Sequence, residues 1–333
     1  MIEFVIDVVL LSFLVLLALT IARTKDLFSS VMLCGLYSLV SAVFFVTMDA
    51  VDVAFTEAAV GAGISSLLML AALMVTSRFE KADSIQPKAA LVVVFLTGGL
   101  LFYGLIDMPM FGDPNTPVQQ QVSSYYIEES MEEIGIPNMV TSVLASYRGY
   151  DTFGETVVIF TAGIGVLALL GGPAVGIRKK RQHQDGDEAF PDHRILRVAS
   201  KLLIPPIMLF ALYVQFHGDF GPGGGFQAGV IFAAAIALYA MVFGLERAQR
   251  IFPMPVIRFI SALGVLLYGS VGMVSMLSGE AFLDYDALAA DPLSGQHMGI
   301  FLVELGVGVT VTAVIILLFF TFFERAMQSK GAK

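Results

Sequence analysis

Four acidic residues stand in or at the edge of long apolar runs. Glu57 occurs in DVAFTEAAVGAGISS, Asp151 and Glu155 in GYDTFGETVVIFTAGIG, and Glu304 in HMGIFLVELGVGVTV. A carboxylate placed in hydrocarbon is costly unless it is paired, hydrated or protonated. Desolvation raises a carboxyl pKa and a neighbouring cation lowers it, so such a group can take up and release a proton or a monovalent cation. Asp151 and Glu155 are spaced i,i+4 and share one face of a helix. Each acid has a Phe nearby and glycines within a few residues. Small residues let neighbouring helices approach closely and leave room for water beside the carboxylate. Arg148, three residues before Asp151, is placed to lower carboxyl pKa values or to gate the acids. The competing reading is that these acids stay hydrated near the outer interface, or hydrogen-bond across helices for packing. Asp7, one turn into the first apolar run, reads as interfacial.

The elements that would position these acids follow from composition. The 333 residues are 57% hydrophobic and 14% charged, whereas a soluble domain carries roughly 45–50% apolar and about 25% charged residues. A spanning helix needs about 20 mostly apolar residues. The runs 3–22, 27–48, 53–77, 89–106, 152–172, 198–216, 225–245, 256–278 and 298–322 meet that demand. The fold class is therefore all-α polytopic membrane protein, with about nine transmembrane helices. If the N-terminus is outside, every Lys and Arg except Arg148 falls at a cytoplasmic end, as the positive-inside rule requires, and the C-terminus is cytoplasmic. Acids lean to the opposite side. The first run lacks a basic start and a small-residue cleavage site, so no cleavable signal peptide is expected.

Residues 107–150 form an outer loop with four prolines and a stretch, QQQVSSYYIEESMEEIG, that predicts a short acidic helix. Residues 173–196 are polar and read as a cytoplasmic linker between a five-span half and a four-span half. His183 and His193 in that linker read as solvated. Cys34, the single cysteine, excludes an internal disulfide and a multi-Cys metal or iron–sulfur site.

The stretch HGDFGPGGGFQAG joins the sixth run to the seventh. Gly221, Gly223, Gly224 and Gly225 tolerate positive φ and close backbone approach, and Pro222 stiffens the turn. Free N–H groups opening the seventh helix make a partly positive pole. No P-loop Lys-Ser/Thr pair follows, so phosphate binding is not indicated. His217 and Asp219 are close enough in sequence for a charge pair or a metal contact, though two ligands are too few for a metal site. Lys201 reads as an anchor snorkelling to the cytoplasmic surface. Pro205 and Pro206 should kink the sixth helix.

Four stretches resemble a known family. HGDFGPGGGFQAGVIFAAAIAL and HMGIFLVELGVGVTV resemble the B-type component of Mrp-type multisubunit Na⁺/H⁺ antiporters. DLFSSVMLCGLYSLVSAVFFVTMDAVDVAFTEAAVGAGISSLL is similar to the small D-type component of membrane-bound hydrogenases, which recurs in the C-terminal region of the Mrp A-type component. NMVTSVLASYRGYDTFGETVVIFTAGIGVLALL is similar to the adjoining E-type segment, with its Arg-Gly-x-Asp-Thr-x-Gly-Glu run. The resemblance implies a D-E-B fusion: a D-type four-helix region at 1–106, an outer loop plus E-type helix at 107–172, the linker at 173–196, and a B-type four-helix domain at 197–333.

It further implies a subunit of a large bacterial plasma-membrane assembly related to respiratory Complex I. The partners would be large antiporter-like subunits, small membrane subunits and lipid, not nucleic acid. Glu57, Asp151 and Glu155 match the family motifs and become ion-path residues, with Glu304 and Arg148 beside them. A Na⁺ site would lie near Glu57, Asp151 or Glu155, and no cofactor is implied. His217 and the GPGGG turn would shape and seal subunit contacts. The large antiporter-like domain of an A-type component does not match here and would come from another chain. Two other readings remain open: an ion-pumping module driven by redox partners, and a scaffold with no ion path.

Overall fold

The computed structural model describes residues 2–81, 87–110, 112–171 and 194–331. His183, His193 and all but the last three residues of the expected linker lie outside the described residues. Among the described residues the chain is helical, and its one β contact is an isolated bridge between Asp26 and Phe79.

The helices are α1 (Ile2–Arg23), α2 (Leu27–Thr47), α3 (Val51–Leu73) and α4 (Pro87–Ile106). After these come α5 (118–133), α6 (139–147), α7 (Gly149–Leu170) and α8 (Arg194–His217). The last are α9 (Gly225–Phe243), α10 (Leu245–Ile251), α11 (Met254–Leu277) and α12 (Pro292–Gly331). Nine of them are long and apolar enough to cross a membrane, and they coincide with the nine expected runs to within a few residues at most ends. The largest difference is α12, a 40-residue helix where the apolar run covers only 298–322. The polar segments Pro292–His297 and Glu324–Gly331 extend it as ordinary helix past both ends of the apolar stretch. The acidic helix expected in the outer loop is α5, and a second short helix, α6, follows it.

Packing is centred on α9 and α12, whose spans are 61% and 67% buried, against 0% for α1 and α4. α12 packs on α9, α11 and α7, and α9 also packs on α8. In lipid there is no hydrophobic drive between helices, so close van der Waals packing holds them and small residues mark the seams. α9 accordingly buries Ala233, Ala235, Ala237 and Ala240. At the α11–α12 crossing Gly264 and Gly306 face one another, and a Cβ on Gly306 would come 2.8 Å from the Gly264 carbonyl oxygen. The close approach expected of glycines after the acids thus occurs at Gly306. It does not occur at Gly165, which has open space around it.

The first three helices are tied on through α3, which contacts α9 and α12. α3 is not uniform: Glu57–Ser65 winds as a π-helix between ordinary turns. Such wide turns hold one extra residue and are frequent at functional sites. Asp7 accepts a 3.0 Å hydrogen bond from Thr47, so it joins α1 to α2 near their end. At the opposite end Asp26 caps α2 and receives a two-pronged hydrogen bond from Arg78, at 3.1 and 2.8 Å. Arg78 pulls the Asp26 carboxyl down to about 2. α8 runs unbroken through Pro205 and Pro206. The Lys201 ammonium and the Arg197 guanidinium both lie over the Phe243 ring, at 5.8 and 5.9 Å from its centre. Lys201 is exposed.

Candidate functional site

The GPGGG turn closes on Glu304. α8 ends at His217, and Gly224 N–H donates 3.1 Å back to the Val214 carbonyl. Gly224 then adopts φ 115°, ψ 174°, a conformation open essentially to glycine alone. That turn aims the first N–H of α9 at α12, where Gly225 N–H donates 2.9 Å to Glu304 Oε2. A Cβ on Gly224 would sit 3.1 Å from both Glu304 carboxylate oxygens, and one on Gly225 would collide with the Glu304 backbone carbonyl. The expected positive pole at the start of α9 is therefore met within the chain, by a carboxylate. Two features far apart in sequence, the glycine turn and Glu304, form one unit.

Residues of the segment between α4 and α7 clamp that unit. Asn138 caps α6 by accepting 3.0 Å from Val140 N–H. Its amide donates to the carbonyls of Gly218 and Gly221, at 3.0 and 3.1 Å, and to Asp52 at 3.4 Å. Thr141 donates 2.7 Å to the same Gly218 carbonyl, and Asn138 N–H donates 3.0 Å to that of Asp219.

A cavity of about 520 Å³ opens beside the turn. Its polar lining includes Asp52 and Thr56 of α3, Glu155 of α7, Gln227 of α9 and Glu304 of α12, with Thr141 and Thr152. Leu144, Val158, Ile159, Val303 and Val307 contribute apolar wall. Gln227 is buried and its amide donates 2.6 Å to Thr56 Oγ1. Asp52 and Thr56 are i,i+4 on α3, so both face the cavity. Three carboxylates from three helices thus meet one space with hydroxyl, amide and backbone partners among apolar walls. Oxygen donors of that kind suit protons and hydrated monovalent cations.

Of the acids singled out in sequence, Glu155 and Glu304 come together here. Glu57 does not: one residue beyond Thr56, it turns toward α2. Glu57 Oε1 and Ser38 Oγ both crowd Gly61, at 2.6 and 2.7 Å from where its Cβ would be. Asp151 also stays outside, exposed at the start of α7 and paired with Arg148 at 2.6 Å. The expected contact between His217 and Asp219 does not form. His217 stacks on Tyr213, with ring centres 4.7 Å apart. Burial pushes the Asp219 carboxyl up, and His297 partly offsets the rise. No group of three or more His, Cys, Asp or Glu among the described residues is arranged to hold a metal ion. Sequence reasoning missed Asp52, Thr56, Gln227 and Asn138. The i,i+4 spacing of Asp52 and Thr56 was a usable signal, but Glu57 is the deeper acid of the run and outweighs it.

Comparison with known proteins locates these parts. Residues 195–317 match the domain related to the MnhB subunit of Na⁺/H⁺ antiporters, 12–78 match MbhD of MBH, and 105–182 match MbhE of MBH. A putative antiporter subunit mnhB2 of Staphylococcus aureus (strain Newman) is 34% identical over 125 residues, 37% of this chain and 88% of the relative. The chain belongs to the MnhB family. The MnhB-related domain comprises α8 to most of α12 and so supplies the glycine turn, Gln227 and Glu304. The MbhD match supplies Asp52, Thr56 and Glu57, and the MbhE match supplies Asn138, Asp151 and Glu155. The cavity lies where the three meet.

Longer likenesses span all three parts. A probable K⁺/H⁺ antiporter A/B subunit of Rhizobium meliloti (strain 1021) is 26% identical over 91% of this chain, which spans 33% of that relative's length. The solved Mrp complex of Dietzia sp. DQ12-45-1b matches with a TM-score of 0.69 and 26% identity, covering 93% of this chain and 34% of that one. The membrane-bound sulfane sulfur reductase (MBS), an archaeal respiratory membrane complex, matches with a TM-score of 0.51 and 28% identity, over 71% of this chain and 98% of that one.

Proposed function

We propose that this chain is a membrane subunit of a multisubunit monovalent cation/proton antiporter, and that the Asp52–Glu155–Glu304 cavity is its part of the ion path. The observation that carries the reading is the convergence of acids from the D-like, E-like and MnhB-like segments on one cavity. A packing role alone would need hydrogen bonds, yet Glu155 has none to a described residue. Glu304 holds its helix cap and faces the cavity at once, so a change in its protonation alters the seam between α9 and α12. Relatives named for Na⁺/H⁺ and K⁺/H⁺ exchange support a monovalent cation as the cargo.

In this reading residues 1–106, 107–172 and 197–333 are the D-type, E-type and B-type regions joined by the 173–196 linker. The N-terminus faces outside a bacterial plasma membrane. The partners are large antiporter-like subunits and small membrane subunits, and the chain is a transporter component rather than an enzyme. The chain spans about a third of the A/B relative's length. Everted membrane vesicles carrying Glu155→Gln test the reading. The assembled complex should lose cation-driven proton release, and wild-type exchange in that variant would overturn the assignment.

One observation favours a second reading. The likeness to a whole chain of MBS is consistent with an ion-pumping module driven by redox partners. Purifying the complex and finding iron–sulfur subunits in it would favour that reading over the antiporter.

A further inference from the structure

A second cavity lies between α7, α11 and α12, away from the acidic one. It encloses about 170 Å³. Phe160, Ile164, Leu167 and Val314 make it apolar, and Arg258 with Ser261 stands at its polar side. Along α7 the lining runs from Phe160 to Leu167, about 10 Å at 1.5 Å per residue. Its floor is a tight helix seam, since a Cβ on Gly163 would be 3.1 Å from Val314.

Arg258 is the unusual member. It stands about one turn into the spanning helix α11 and is exposed. Its guanidinium has no hydrogen-bond or ion-pair partner among the described residues. Ser261 does not serve it, because that hydroxyl donates 2.8 Å to the Arg258 carbonyl. An arginine at this depth normally finds an anion or water. The same end of the bundle carries Arg247 and Arg250 on α10 and Arg325, which donates to the Leu170 carbonyl. Glu246 and Glu324 are the acids on those turns, so the balance there is basic.

We propose that this groove is a phospholipid site, with an acyl segment lying against Phe160, Ile164 and Leu167 and an anionic headgroup phosphate on Arg258. Guanidinium matches phosphate in a planar two-point contact, and basic pockets between membrane helices take anionic headgroups. The volume is too small for a whole lipid. It fits a length of chain whose headgroup stays outside at the arginine. Charge complementarity at one end and hydrocarbon at the other distinguish this occupant from free phosphate, which has no use for the apolar walls.

The test uses the purified assembled complex in detergent, with melting temperature and retained lipid by native mass spectrometry as readouts. Phosphatidylglycerol, phosphatidylcholine and inorganic phosphate are the probes. Phosphatidylglycerol should raise the melting temperature of the wild type and remain bound, and the other two should not. Arg258→Gln should lose both effects, Arg258→Lys should keep part, and Arg250→Gln should keep all. Ile164→Trp crowds the groove while leaving the charge, and should also lose the retained lipid. An unchanged response in Arg258→Gln, the same stabilisation by inorganic phosphate, or release of a protein partner in place of lipid overturns the proposal.

Discussion

Replacing Gly224 with alanine tests how the turn and Glu304 work together. Gly224 holds φ 115°, ψ 174°. Forcing a non-glycine residue there costs about 1–3 kcal/mol, or about 5- to 150-fold in an equilibrium. The new Cβ would also stand 3.1 Å from both oxygens of the Glu304 carboxylate. That is closer than ordinary van der Waals contact, so the carboxylate must move and its hydrogen bond from Gly225 lengthens. Gly279 supplies the control. It too has a positive φ, 94°, but a Cβ there meets nothing within 4 Å. Gly279→Ala therefore carries a backbone cost without touching an acid. The assay is cation-driven proton release from everted vesicles, divided by the amount of assembled complex. Gly224→Ala should lose exchange per complex by at least about tenfold, one decade for 1.4 kcal/mol, while Gly279→Ala loses yield only. Equal exchange per complex in the two variants would refute the idea that the turn sets the Glu304 carboxylate.

Asn138→Ala removes a helix cap and the donor shared by the Gly218 and Gly221 carbonyls and Asp52. A lost cap alone costs about 0.5–2 kcal/mol. Exchange per assembled complex should fall, and hydrogen exchange at the 217–224 turn should quicken. Asp151→Asn breaks only an exposed pair worth about 0–1 kcal/mol, so vesicle exchange should stay within about fivefold of wild type, in contrast to Glu155→Gln. The Asp26 carboxyl lies near 2 when folded, below its ordinary 3.8, chiefly because of the Arg78 hydrogen bond. A depressed pKa stabilises the folded state above the unfolded value, and the gain is lost as pH falls through the folded one. The clasp between 25–27 and 78–80 should therefore hold from neutral pH to about 4 and open progressively toward 2. Exchange at the Leu27 and Glu80 amides, which bond to Arg78 and Lys25, reads this directly. Arg78→Gln should speed that exchange already at neutral pH.

Much of the fold was legible because lipid imposes a single rule. Runs of about 20 apolar residues must be helices, since no other open element satisfies its backbone in hydrocarbon. The site was half legible for the same reason, because Glu155 and Glu304 stand out where charge is costly. The rest depends on rotation and on distant pairing. Glu57 is one residue past Thr56, about 100° around an α-helix, and that angle turns it toward Ser38 and away from the cavity. Nothing within α3 says which face meets α9 and α12. Asn138 reads as an ordinary loop residue after Pro137, and its role exists only because residues about 80 positions away fold against it. GPGGG announces close approach but not to what; the partner is a carboxylate on the last helix.

The most direct test of the central claim is cation-driven proton release by everted vesicles bearing Glu304→Gln, measured across pH and normalised to assembled complex. Glutamine can still accept the Gly225 hydrogen bond, so helix capping and assembly should survive while exchange is lost at every pH. Exchange at the wild-type rate with the wild-type pH profile would contradict the account.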